Sequence, residues 1–271
     1  MERYFCVTCG AQFAPANEPP PSCPICDDER QYVGQQGQLW TTLDELRRDH
    51  RNAVRPIDTG LTGIATEPRV AIGQQAHLIE TRAGNVLWNC ISLVDDDTVA
   101  EVAQRGGLAA IAISHPHFFT GMVEWSRAFG GVPIYLHADD RAWVMRPDDA
   151  IHYWPGETAE ILPDGGLTLI RCGGHFAGSC VLHWAEGAGG RGALFTGDTI
   201  TVVSDRRWVS FMYSYPNLIP LGAEAIQRIV AAVEPYPFDR LYGGWHESVV
   251  VSDAKAAVRR SAERYLARIE R

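Results

Sequence analysis

The chain has 271 residues, 46% of them apolar and 21% charged, which are the proportions of an ordinary globular protein and exclude a disordered or membrane-embedded one. A net charge of −9, with the arginines scattered or gathered near the C-terminus, argues against nucleic acid as a partner. The opening MERYFCVTCG lacks the basic start and apolar stretch of an export signal, and no later apolar run could span a bilayer, so a cytoplasmic protein without membrane contact is expected.

Residues 1–38 hold four of the seven cysteines and too few apolar side chains to close a core unaided, so they are read as a separate small module. Residues 39–67 read as a linker with one short helix, opened by the capping-box pattern Thr42-Leu-Asp-Glu45. The main domain is placed at 68–271. Its early part predicts strands over Arg69–Ile72, Ala76–Glu80 and Asn85–Ile91, then a helix over Asp97–Gln104 closed by Gly106-Gly107. Leu108–Ser114 is a short apolar strand that delivers His115 at its end, and Met122–Phe129 is helical. Strands follow at Pro133–Leu136, Leu167–Arg171, Cys180–Trp184 and Ala193–Phe195, a helix at Ala223–Val233, a strand at Arg240–Tyr242 and a terminal helix over Asp253–Arg271. Hairpins first and strand–helix units later predict a layered α/β architecture.

The cysteines fall as Cys6-Val-Thr-Cys9-Gly10 and Cys23-Pro-Ile-Cys26. Thiolates at this spacing can reach one ion, and four complete a closed tetrahedral shell with no open position for substrate. Gly10 suits a backbone position with positive φ. The knuckles resemble those of zinc ribbons and rubredoxins. Zinc would make the module structural, or a contact surface for another protein, and iron would imply electron transfer; zinc is the expected metal, with iron as the alternative.

Four further segments belong together: Ser114-His-Pro-His-Phe-Phe-Thr120, Cys172-Gly-Gly-His-Phe-Ala-Gly178, Phe195-Thr-Gly-Asp-Thr199 and Tyr242-Gly-Gly-Trp-His246. Each sets a metal-capable side chain just after a strand beside a turn former, as loops at one sheet edge do. In this order they resemble the metallo-β-lactamase fold superfamily, over roughly residues 68–250. The resemblance implies an αββα sandwich with metal between the sheet edges, and metal ligands at His115, His117, His175 and Asp198, with His246 at the family's last histidine position. The family's HxHxDH signature is broken here, because Phe119 and Thr120 stand where the second metal's Asp and His would be. One zinc on three imidazoles is therefore expected, with Asp198 ligating or taking a proton from water and His246 assisting as a second catalytic residue.

Glu124, one helical turn after Thr120, is read as a solvated or capping residue in preference to a replacement ligand. Cys90, Cys172 and Cys180 are read as buried thiols, and His137 as a residue with a lesser claim on the cleft. The aromatic run Trp208–Pro216 is either a substrate wall or a packed loop, and Trp125 and Trp245 are candidates for the same wall. The expected activity is hydrolysis of an ester, thioester, lactone or amide of a neutral or apolar small molecule by metal-bound hydroxide. The competing reading is a degenerate, non-catalytic scaffold that acts as a binding protein through its ribbon.

Overall fold

The computed structural model describes residues 1–269; Glu270 and Arg271, included in the expected terminal helix, lie outside the described residues. Two β-sheets carry the fold. The first has seven strands in chain order: β3 (Arg51–Asp58), β4 (Leu61–Glu67), β5 (Gln75–Thr81), β6 (Gly84–Trp88), β7 (Ala110–Ala112), β8 (Ile134–His137) and β9 (Ile151–Trp154). The small strands β1 (Tyr4–Cys6) and β2 (Trp40–Thr42) precede them as a separate antiparallel pair. The second sheet runs β10 (Thr158–Ile161), β11 (Leu167–Arg171), β12 (Cys180–Trp184), β13 (Ala193–Phe195), β14 (Arg240–Tyr242) and β15 (Val249–Val250).

The layering follows from strands that are apolar on both faces. Along a strand, successive side chains point to opposite sides. In β7, Ala110 and Ala112 face the second sheet, while Ile111 faces outward. In β6, Val86 and Trp88 point inward and Leu87 outward. The second sheet mirrors this: Leu169, Leu182 and Phe195 meet the first sheet, and Ile170, Val181 and Leu194 face the other way. Each outer face must then be covered. Helices Asp96–Gln104 and Met122–Ala128 cover the first sheet, and helices Ala223–Val233 and Ala254–Ile269 cover the second. The product is the expected four-layer αββα sandwich. Among the described residues no helix is long and apolar enough to cross a membrane.

Several local expectations need correction. Residues 51–67, read as linker, form the edge strand β3 and its inner neighbour β4, paired from Arg51–Glu67 onward with a register shift between Pro56 and Asp58. Their signal is weak because β3 is mostly half-exposed, carries Pro56 and begins and ends on charged residues. Arg69–Ile72, read as a strand, is a loop, and it runs to the cleft described below. The strands β9, β10 and β15 were not anticipated. The capping box is present: Thr42 Oγ1 accepts from the Glu45 amide at 3.3 Å, and the Glu45 carboxylate accepts from the Thr42 amide at 2.9 Å.

His77 lies between the sheets with Phe195 and Tyr242 about its ring, and burial holds its pKa at about 3, against 6.5 for a free imidazole. The native state leaves it neutral while the unfolded chain protonates it, so stability falls as pH drops from 6.5 toward 3. Replacing His77 by Leu is expected to flatten the acid dependence of urea unfolding of the metal-free protein by roughly 1.4 kcal/mol per pH unit between about pH 4 and 6. An unchanged slope would show that this ring is already charged in the fold.

Candidate metal centre

Strand β7 ends at Ala112, and three residues later the chain turns with His115 at its bend, followed by a single turn of 3-10 helix over Pro116–Phe118 that carries His117. The turn between β11 and β12 needs left-handed backbone at Gly173 and Gly174, with φ of +67° and +81°, and it swings His175 back toward the same edge. Asp198 follows β13 through Gly197, where a Cβ would come within 2.6 Å of the Ser114 hydroxyl. Only glycine lets that loop approach the His115 loop so closely.

These four side chains converge, fully buried, with one ligating atom from each within 4.8 Å of all the others. Asp198 Oδ2 stands 3.3 Å from His115 Nε2, 3.7 Å from His117 Nδ1 and 3.7 Å from His175 Nε2, while the last two nitrogens are 3.2 Å apart. A tetrahedral zinc site with arms of about 2.0–2.1 Å has edges of about 3.3–3.4 Å, so the spacing suits an ion at the centre. The tautomers agree. Ser114 donates its hydroxyl to Asn89 Oδ1 (2.8 Å), so its oxygen accepts from His115 Nδ1 (2.9 Å), and His175 Nδ1 donates to the Tyr213 carbonyl (2.8 Å). His115 Nε2 and His175 Nε2 are thereby left as bare lone pairs aimed at the centre. His115 Nε2 and Asp198 Oδ1 are buried with no hydrogen-bond partner, an arrangement that is costly without a cation.

The electrostatics point the same way. Burial pushes the pKa of His117 and of His175 down, keeping both neutral and able to ligate.

Beside the cluster opens a cavity of about 300 Å³ that reaches His117, His175 and Asp198. Ile72, Tyr215, Pro216 and Trp245 give it an apolar wall, and Arg30, Gln31, Tyr32 and Arg69 the rest. The aromatic run therefore divides. Tyr215 walls the cavity and donates its hydroxyl to the Asp198 carbonyl at 2.8 Å, whereas Phe211 is core and Trp208 lies under Arg260 and Arg264. Trp245 joins the wall, its indole donating to the Ile72 carbonyl at 3.0 Å. Trp125 does not; it is buried against the first sheet.

His246 is not brought into this constellation. Its side chain is exposed and lies outside both the ligand cluster and the cavity lining. At the two positions where the resembled signature has Asp and His, Phe119 packs in the outer core of the first sheet, and the Thr120 methyl closely abuts Gly10 of the cysteine module. Glu124 is not a ligand but a clamp, paired with Arg146 and accepting from Gln12 at 3.3 Å. His137 bonds the Gly156 carbonyl and the Asp139 amide and stays out of the cleft, and Cys90, Cys172 and Cys180 are buried, with burial raising each thiol pKa.

At the N-terminus Cys6, Cys9, Cys23 and Cys26 also gather within 4.8 Å, all buried and none disulfide-bonded. Their Sγ–Sγ distances of 3.4 and 3.7 Å approach the edge of about 3.8 Å expected around a tetrahedral ion with 2.3 Å arms. Gly10 has the anticipated positive φ of +83°.

Across the chain the Bacillus subtilis protein YmaE, whose own description is "uncharacterized", is 50% identical over 268 residues, or 98% of this chain and 96% of that protein. The chain belongs to the YmaE family. No family model matches it. Among solved structures it is similar to the DIM-1 metallo-β-lactamase, with a TM-score of 0.59, 12% identity and coverage of 82% of this chain and 99% of that one. It is likewise similar to the metallo-β-lactamase FIM-1 from Pseudomonas aeruginosa in its mono-zinc form, with a TM-score of 0.58, 15% identity and coverage of 79% and 95%. At such identities the likeness establishes the fold, which is that of the metallo-β-lactamases, and the ligand cluster sits on it as a metal centre would.

Elemental analysis of dialysed wild type and His115→Ala is expected to show one metal equivalent lost from the imidazole centre with the cysteine site still loaded. Loss of two equivalents would place a second ion in the cleft.

Proposed function

We propose that the protein is a zinc-dependent hydrolase with a single metal in its cleft, acting on an ester, thioester, lactone or amide carbonyl of a small molecule. The observation that carries this reading is the set of three buried imidazoles and one carboxylate at zinc-like spacing, opening on one side to a cavity of about 300 Å³. His115, His117 and His175 would hold the ion, as would Asp198 through Oδ2. When bound, zinc supplies a Lewis acid for the carbonyl and lowers the pKa of a coordinated water to about 7.

The chain's residues do the rest. Asp198 Oδ1, buried and without a partner, is the acceptor for a proton from the attacking water. The Tyr215 hydroxyl fixes the Asp198 backbone and so the direction of that oxygen. Ile72, Tyr215 and Trp245 keep water from one flank and offer surface for an apolar body. The single-metal reading rests on Phe119 and Thr120, which offer no imidazole or carboxylate, and it has a parallel in the mono-zinc form described for FIM-1. A protein of the cytoplasm is the setting we propose for it.

Screening with para-nitrophenyl esters, thioesters, lactones and β-lactams is the test. Turnover is expected with at least one class, falling to the buffer rate in His175→Ala and by about 10²–10⁴-fold in Asp198→Asn, the usual share of a general base. Trp245→Ala is expected to raise KM for substrates with an aromatic body, leaving kcat nearly unchanged. No turnover above His175→Ala across the panel would replace the hydrolase by a metal-holding scaffold.

A further inference from the structure

The four-cysteine module and the imidazole centre are tied together. Gln74 Nε2 donates to the carbonyls of Cys9 (2.9 Å) and His117 (3.0 Å), joining the first knuckle to one ligand-bearing turn. Asn217, two residues beyond Tyr215, donates through Nδ2 to the carbonyls of Glu29 (2.8 Å) and Gln31 (2.9 Å). Arg30, four residues after Cys26, makes the third tie. Its Nη1 donates to the His175 carbonyl at 3.1 Å, and its guanidinium carbon lies 3.9 Å from the centroid of the Phe176 ring. Nε and Nη2 fork onto the Asp28 carboxylate at 2.5 and 2.8 Å.

A guanidinium used in this way is not arranged to catch an anion. Its charge is spent on Asp28, and its remaining bond goes to the backbone of a ligand-bearing residue. Desolvating an Arg–Asp pair is expensive, and a leucine would fill a merely adhesive interface at lower cost. What the planar fork adds is direction: with Asp28 holding Nε and Nη2, the Nη1 edge can point only one way. His175 sits on a turn with two left-handed glycines, a conformation with little stiffness of its own.

We propose that Arg30 is a positioning residue for His175, so that the cysteine module completes the metal centre by bracing the backbone of its third imidazole. The module's metal fixes Cys26, the short helical turn Pro24–Asp27 carries the chain to Arg30, and Arg30 fixes the His175–Phe176 turn. This inference rests on the metal-centre reading above, but not on turnover.

Cobalt reports the two centres separately, because only the cysteine site gives thiolate–cobalt charge transfer, and its d–d bands lie at lower energy than those of a site with imidazole and carboxylate ligands. Arg30→Met keeps an apolar stem near Phe176 and removes the donor. It is expected to release imidazole-site cobalt to a chelator about 10–100-fold faster than wild type and to shift the d–d band, with the thiolate band unchanged. Arg30→Lys, which retains one donor, is expected to recover part of the loss. Wild-type release and band position in Arg30→Met, with the thiolate band intact, would overturn the proposal. Should Arg30→Met also lose the thiolate band, Asp28→Asn decides: faster imidazole-site release with thiolate cobalt retained supports positioning, and wild-type release refutes it. Wild type that takes up no cobalt beyond the thiolate site would sink both this inference and the metal-centre reading, whereas a cobalt centre without turnover on any substrate would sink the hydrolase alone.

Discussion

The centre of the molecule is a buried carboxylate surrounded by three buried imidazoles, and this combination constrains everything near it. Histidines stripped of water and a carboxylate with an unpartnered oxygen are each costly in a low-dielectric interior. A cation at the point where their lone pairs meet removes the cost at once. The loops that deliver them must then be short, fixed and closely stacked, hence the glycines at 173, 174 and 197 and the Asn89–Ser114–His115 hydrogen-bond chain. The sandwich beneath provides the fixed edge: β7, β11 and β13 all lead toward it, and strands buried on both faces leave them little freedom to shift.

Much of this was legible in the sequence because it is local. A His or Asp directly after an apolar strand and beside glycine is a signal a few residues long, and four such segments mark one sheet edge. The strands β11, β12 and β13 and the helix Ala223–Val233 stand where their patterns place them, since their apolar periods are unbroken. The edge strand β3 was hidden because an edge needs no continuous apolar face and can carry Pro56 and charged ends. His246 misled for a related reason: the turn after Tyr242 was read correctly, but Trp245 and not its neighbour reaches the cavity. Sequence order near a turn does not determine which of two adjacent side chains points inward.

Other site residues carried no readable signal. Arg30 bonds a residue 145 positions away, and Gln74 bridges partners 65 and 43 positions away. An arginine after a cysteine knuckle, or a glutamine before a strand, is ordinary by itself. Only the docked structure shows that both donate to carbonyls of residues in the two candidate metal clusters. Glu124 illustrates the converse. Its spacing after Thr120 invited a ligand reading, and the fold uses it, with Gln12 and Arg146, to seat the module.

The broken signature and the cysteine module then have a common physical account. At the two positions where the signature it resembles has Asp and His, this chain has a core phenylalanine and a threonine whose methyl abuts Gly10 of the first knuckle. The same docking brings Arg30, Gln31 and Tyr32 into the cavity wall, so the module that abuts Thr120 also narrows the cleft beside the imidazole cluster. The Thr120 contact and the cavity wall are two consequences of one interface, and the hydrogen bonds from Gln74 and Arg30 to the carbonyls of His117 and His175 tie that interface to the turns that bear the imidazole cluster.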